Sequence, residues 1–246
     1  EKGEAADHIW LDYPHDHDLI GNDYEGSGDD PIPEECFEGK VWPFIPGVYE
    51  DPSWNLTLHA DVKFPDFWKK SAREWWTNEI KSFYDNQTVF DGFWIDMNEP
   101  ANFATDTGNL WSGNPYYNCS SSRLNWPKFM PQKYHTQGNP IFHKTACMDT
   151  VHVLDNLSSS EYGPGLGNGE IHHYNIHNMY AYSQAKPTKS ACEKATGKRC
   201  VITSRSNFPG SQKWVGHWLG DNSAEWDFMK NSIVQMLEYS IFGYSY

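Results

Sequence analysis

Basic residues are scarce in this sequence. Lysine and arginine total 19 against 33 aspartates and glutamates, a formal net charge of −14 over 246 residues. A nucleic-acid binder needs basic surface to displace phosphate counterions, so that class is excluded. Docking on an anionic lipid surface is disfavoured for the same reason. Apolar residues are also sparse, at 38%, below the roughly 45–50% of ordinary domains. No run of about 18 apolar residues occurs, so no segment reads as a membrane span. The opening residues, EKGEAAD, are acidic and do not form a signal peptide. Cysteines number five, none in a CxxC zinc spacing. An odd count leaves at least one thiol free or bonded outside the chain.

Rings are what the sequence has in excess. Aromatics make up 16%, with 12 Trp, whereas disordered chains are poor in them. The expectation is a folded chain with much loop, whose rings line a binding surface. Four N-x-S/T sequons, at Asn55, Asn86, Asn118 and Asn156, join the cysteines in favouring a secreted or lumenal setting.

Along the chain, residues 1–60 are acidic and rich in Pro and Gly, and read mostly as loop. GKVWPF (39–44) is a short strand candidate stopped at Trp42-Pro43. SAREWWTNEIKSFY (71–84) reads as a helix. Ser71 and Glu74 form a capping box, and Ala72, Trp75, Trp76, Ile80, Phe83 and Tyr84 share one face. Phe93-Trp94-Ile95 is a continuous apolar run, as in a parallel strand covered on both faces, and ends in Asp96, Asn98 and Glu99. Residues 100–170 lose all periodicity and read as a functional excursion. Cys119 and Cys147 lie inside it, either as a staple or as two unrelated thiols. A helix spans His177–Thr196, interrupted by Pro187 and ended by Gly197. Cys192 and Cys200 flank that turn and can pair locally. CVITS ends in Arg205, WVGHWLG ends in Asp221, an amphipathic helix covers 223–240, and IFGYSY starts a further strand. This alternation predicts an α/β fold with a parallel sheet.

Chemistry in such folds sits at the carboxyl ends of the strands, where Asp96, Arg205 and Asp221 each fall. Two aspartates with an arginine between them in sequence fit paired-carboxylate catalysis, in which one group is ionised while the other holds a proton. Trp94, Trp218 and Trp226 flank them in sequence and offer flat faces to sugar rings. Spacing alone leaves a second reading equally open: Asp96 and Asp221 as plain helix caps, the latter for a helix starting at Ser223. His15 and His17 in HDHD, and the pair His172-His173, lack ligand spacing and read as solvated surface histidines. The acidic stretch 23–36 reads as a solvated loop, since it lacks the ordered calcium-loop spacing.

GFWIDMNEPANF (92–103) closely resembles the nucleophile signature of glycoside hydrolase family 31. TSRSNFPGSQKWVGHWLGDNSAEW (203–226) resembles the same family's acid/base region. The likeness extends to GKVWP (39–43), FPDF (64–67), HNMYAYSQAKPT (177–188) and SIFG (240–243). Within the family it is most similar to the intestinal maltase-glucoamylase and sucrase-isomaltase group. The resemblance implies a (β/α)8 TIM barrel and a retaining α-glucosidase acting on α-linked gluco-oligosaccharides, with no metal or organic cofactor. It implies Asp96 as nucleophile, Asp221 as general acid and then base, and Glu99 as support for Asp96. Arg205 is implied to bind glucose hydroxyls, with Trp42, Trp94, Met97, Trp218 and Phe208 as pocket walls. A Cys119–Cys147 disulfide is implied by a bridge at the matching place in the family. Further sugar-binding aspartates of the family lie upstream of residue 1, and a histidine lies downstream of Tyr246. Any membrane contact is expected only through regions outside this chain. A non-catalytic carbohydrate-binding or interaction module of the same fold is the rival expectation.

The length of 246 residues equals that of a small complete barrel, typically about 250 residues. Only about five strand candidates remain outside the excursion, however, against the eight a barrel requires. The expectation is therefore a partial barrel, with 1–246 as the central part of one catalytic domain.

Overall fold

The computed structural model describes residues 9–11, 38–41, 60–100, 124, 145–154 and 169–244. In chain order the elements begin with β1 (Glu38–Val41), β2 (Ala60–Lys63), α1 (Lys70–Asn86) and β3 (Gly92–Ile95). Next come β4 (Val151–Val153), β5 (Glu170–His172), the single-turn α2 (His173–Ile176) and α3 (Tyr180–Thr196). The chain continues with β6 (Val201–Ser204), β7 (Gly216–His217) and α4 (Trp226–Ser240). It divides into two compact units, residues 1–69 with 100–177, and residues 70–99 with 178–246.

The first unit holds two antiparallel pairs. Strand β1 pairs with β2, Glu38 opposite Lys63, and β4 pairs with β5, His152 opposite Ile171. Past β2 the chain is pinned by Leu11 N–H to the Phe64 carbonyl (2.9 Å) and Asp66 N–H to the Ile9 carbonyl (2.7 Å). Leu11, Phe64 and Phe67 are buried there. A buried polar chain runs through this unit. Asp66 accepts from Val153 N–H at 2.7 Å and faces His152 Nδ1 at 3.1 Å. His152 Nε2 meets His173 Nδ1 at 2.9 Å, and His173 Nε2 meets the Thr145 hydroxyl at 3.0 Å. One direction of donation, Thr145 to His173 to His152 to Asp66, satisfies all four ring nitrogens. The expectation that His172 and His173 are solvated is thus corrected. His172 is buried with Nδ1 on the Asp149 carbonyl (3.0 Å), and His173 is fully enclosed. A ring nitrogen with a fixed partner can be buried without the cost of an unsatisfied polar group.

The second unit is a three-stranded parallel sheet in the order β3-β6-β7. Its core gathers Ile95, Ala185, Cys192, Cys200, Ile202 and Val215, with Phe90, Phe93 and Trp214 packed against it. Gly92 is required at the start of β3, because a Cβ there would stand 2.8 Å from the Val201 carbonyl oxygen. Helix α1 buries Ala72 and Ile80, and Trp76 donates Nε1–H to Thr188 Oγ1 of α3 at 2.9 Å. The Trp-rich helix is therefore a packing element. It starts at Lys70, which puts Ser71 inside the first turn rather than at the cap. Helix α3 runs through Pro187 and ends at Gly197, whose φ of +67° and N–H bond to the Glu193 carbonyl make a left-handed cap. Cys192 and Cys200 form a disulfide that ties the end of α3 to the start of β6.

Three further expectations differ from the structure. Strand β3 is covered on one face: Ile95 is buried, whereas Trp94 is 63% exposed. Helix α4 begins at Trp226, and its apolar residues Trp226, Met229, Ile233, Met236 and Leu237 all face solvent. Ile241–Gly243 form a turn in place of a strand start, with Gly243 at φ +76°. That turn delivers Tyr244 inward, where its hydroxyl donates to the Phe208 carbonyl and meets Ser211 Oγ, both at 2.6 Å. Burial raises the Tyr244 pKa above its ordinary value. Among the described residues no helix is long and apolar enough to cross a membrane.

Candidate active site

The parallel register aligns the strand ends. Ile95 pairs with Ser204 and Ser204 with His217, so the residues that follow each strand become neighbours. Arg205 N–H donates to the Ile95 carbonyl at 3.1 Å and extends the ladder by one step. Its side chain returns toward the end of β3. Nε and Nη2 donate to the two Glu99 carboxylate oxygens at 2.9 and 2.7 Å, a bidentate fork. Nε also lies 3.2 Å from Asp96 Oδ1. The Glu99 hydrogen bond raises the Arg205 pKa most. Burial opposes the rise, and the charges of Glu99, Asp96 and Asp221 add to it. Three carboxylates therefore share the field of one guanidinium.

The chain between the carboxylates is tightly turned. Met97 has φ +54°, in the left-handed region, and its N–H donates to Asp96 Oδ1 at 2.8 Å. Asn98 is buried at 4% exposure. Its Nδ2 donates to Ser204 Oγ at 2.9 Å and its Oδ1 accepts from Ser206 N–H at 3.0 Å. Farther along, the Asn207 amide donates to the Ser204 and Arg205 carbonyls at 2.9 and 3.2 Å, and lies 2.8 Å from His217 Nδ1. The His217 ring stacks on Tyr239 with centroids 4.3 Å apart, and burial lowers its pKa below the ordinary value.

Aromatic faces stand beside these charges. Trp94 and Trp218 meet edge to face with centroids 5.4 Å apart. Phe208 packs edge-on against Tyr182, and Met97 is half-buried. Asp221 is exposed and follows Gly220 at φ +89°. The helix-cap reading of Asp221 fails, because α4 starts three residues later than expected and its N-cap position is Glu225. Among the described residues that directly follow Asp96, 97–100, no helix starts either. Trp42, Asn55, Cys119, Asn118, Asn156, His15, His17 and the acidic stretch 23–36 lie outside the described residues. Asn86 is exposed at the end of α1. Cys147 is disulfide-bonded and buried. Among the described residues no group of three or more His, Cys, Asp or Glu is arranged to hold a metal ion.

Of the residues the sequence points to, the structure joins Asp96, Glu99 and Arg205 in one cluster and Trp94 and Trp218 in one ring pair. Sequence reasoning missed the scaffold of Asn98, Ser204, Asn207 and His217. The only signal for Asn98 was its place between two carboxylates. Asn207 and His217 carried none, since their meeting depends on strand pairing.

A parallel sheet with an arginine-bound carboxylate cluster just beyond its carboxyl ends defines the class: an α/β fold with its candidate site at that end of the strands. The sequence matches the glycosyl hydrolases family 31 TIM-barrel domain over residues 19–246, and the chain belongs to that family. It is 39% identical to intestinal sucrase-isomaltase of Oryctolagus cuniculus over the whole chain, and 41% identical to that of Homo sapiens over 84% of it. An alpha-glucosidase of Mucor javanicus is 36% identical over 85%. The chain spans only 12%, 11% and 24% of those three relatives. Among solved structures, an ER glucosidase II heterodimeric complex shares the fold at TM-score 0.54 and 21% identity, covering 97% of this chain and 17% of that one.

Proposed function

We propose that this chain carries the catalytic pair of a retaining α-glucosidase that releases α-glucose from the non-reducing ends of maltose- or isomaltose-like oligosaccharides. Residues 1–246 are read as the central part of one catalytic barrel, with an irregular excursion over about 100–170. Asp221 donates a proton to the glycosidic oxygen while an Asp96 carboxylate oxygen attacks the anomeric carbon from the opposite face. The C–O bond to the leaving sugar breaks, and a β-glucosyl ester of Asp96 forms. Asp221, now a carboxylate, takes a proton from water as that water attacks the same carbon and Asp96 departs. Two inversions leave the product α. Retention calls for the two carboxyl groups to stand about 5–5.5 Å apart. Arg205 pairs with Glu99 and Asp96 and turns remaining N–H donors to sugar hydroxyls. Trp42, Trp94, Met97, Trp218 and Phe208 supply the pocket walls. No step needs a cofactor.

The observation that carries this reading is the Arg205 guanidinium joining Glu99 and Asp96 within the family's own motif. The disulfide of Cys192 and Cys200 and the sequons support an extracellular or lumenal setting. In the same reading a Cys119–Cys147 bridge staples the excursion, and Asn55, Asn86, Asn118 and Asn156 are glycan acceptors. Replacing Asp96 with Asn in the full-length protein removes the nucleophile while keeping the side-chain shape. Hydrolysis of an aryl α-glucoside is then abolished and sugar binding persists. Unchanged turnover sinks the assignment, and a parent protein that binds sugar without hydrolysing it makes this a carbohydrate-binding module instead.

A further inference from the structure

The carboxylates of Asp96 and Glu99 pair with a half-buried arginine, and all three groups are open to water. The side chains of Asp96, Glu99 and Arg205 are 36%, 38% and 40% accessible. Ion pairs open to water hold geometry weakly, because screening and side-chain entropy cancel most of their attraction. Met97 between them sits at φ +54°, a conformation that persists in a non-glycine residue only when its surroundings hold it there. Something buried must fix this turn.

Asn98 is the one fully buried side chain of the segment 96–99. Its amide grips both neighbours of Arg205. Nδ2–H donates to Ser204 Oγ at 2.9 Å, and Oδ1 accepts from Ser206 N–H at 3.0 Å. Ser204 Oγ in turn donates to the Ser206 carbonyl at 2.7 Å and closes the ring of bonds. The segment bearing the carboxylates is thereby clamped to the backbone bearing the guanidinium. The site demands one donor and one acceptor at one side-chain tip, which asparagine supplies; aspartate lacks the donor and alanine lacks both.

We propose that Asn98 is the positioning residue for the reaction. It touches no substrate, and sets Asp96 and Glu99 on Arg205 by holding the turn at Met97 against the end of β6. This inference rests on the reading of Asp96 as nucleophile. The test uses Asn98→Ala and Ser204→Ala, singly and combined, in the full-length protein, with Asp96→Asn as control. Three readouts are taken: kcat and KM on an aryl α-glucoside, the rate of covalent labelling of Asp96 by 5-fluoro-α-glucosyl fluoride, and the melting temperature. Misplacing a reacting group by about 1 Å costs up to ~100-fold in rate, so kcat and labelling of Asn98→Ala fall together by about 10- to 100-fold. KM changes by less than kcat, because Asn98 itself touches no sugar and the loss falls mainly on the transition state. Ser204→Ala removes one arm and costs less, and the combined variant is no worse than Asn98→Ala, because both act through one network. A lowered melting temperature with kcat and labelling both kept within about twofold of the parent overturns the proposal and leaves Asn98 a structural residue. If Asn98→Ala does not fold, Ser204→Ala decides, and an unchanged kcat there overturns it. Turnover retained by Asp96→Asn overturns instead the nucleophile reading beneath it.

Discussion

His217 is the residue whose environment makes the site sensitive to acid. Burial lowers its pKa below 6.5, and the carbonyls of Ser204 and Arg205 oppose that shift without cancelling it. Between the folded value and 6.5 the unfolded chain binds more protons than the folded one, so stability rises with pH in that window. The contribution is complete above about pH 6.5 and is lost as pH falls through the depressed folded value. His217→Phe keeps a ring on Tyr239 and removes the titration. Its denaturation midpoint is expected to fall less steeply than the parent's between about pH 6.5 and 5 in urea melts at successive pH values; parallel curves exclude His217 as the source. Arg205 shows a different residue-scale logic. Its planar fork spans both Glu99 oxygens, which a lysine's point charge cannot do. Asp96 and Arg205 are legible because each directly follows an apolar strand, whereas the pairing of Arg205 with Glu99 joins positions 106 apart and is not.

Elements read well where their signals are local. Gly197 closes α3 as its position predicts, because only a residue tolerant of positive φ makes the left-handed cap. Boundaries governed by tertiary contacts were misread. Helix α4 starts at Trp226, and the expected strand after it is a turn that aims Tyr244 at Ser211. The link between α3 and β6 carries a prediction of its own. Cys192 and Cys200 are both buried and separated by 8 residues in sequence. Closing a loop of that size in the unfolded chain contributes about 2–3 kcal/mol. Cys192→Ser with Cys200→Ser lowers the guanidinium midpoint, and reductant lowers that of the parent at least as far, since the bridge of Cys147 opens as well. A parent midpoint indifferent to reductant refutes the contribution.

At the scale of the whole molecule, exposed apolar side chains among the described residues concentrate on α4 and the turn that follows it. Trp226 is 81% exposed, Leu237 66% and Ile241 80%, with Met229, Ile233 and Phe242 beside them above half exposure. Contiguous apolar surface of this kind marks an interaction site or an aggregation liability. Residues 1–246 expressed by themselves are therefore expected to bind a hydrophobic dye such as ANS and to self-associate in size-exclusion runs. Leu237→Lys with Ile233→Glu reduces both signals. An ANS-silent, monomeric parent contradicts the expectation.

The sequence by itself determined the alternation of parallel strands and helices around the site, the strand-end places of Asp96 and Arg205, the left-handed cap at Gly197 and the family; Asp221 lies four residues past the end of β7. Each of these follows from periodicity, turn chemistry or a contiguous motif, which act over a few residues. The tertiary structure alone decided what those residues meet. It put Asp66 against His152 across 86 positions, and Asn98 against Ser204 across 106. It also enclosed His173 and left α4 bare. Such contacts depend on strand order and register, and on which face of an element finds a partner. Those are set by the packing of many segments at once, and no local rule of side-chain spacing contains them.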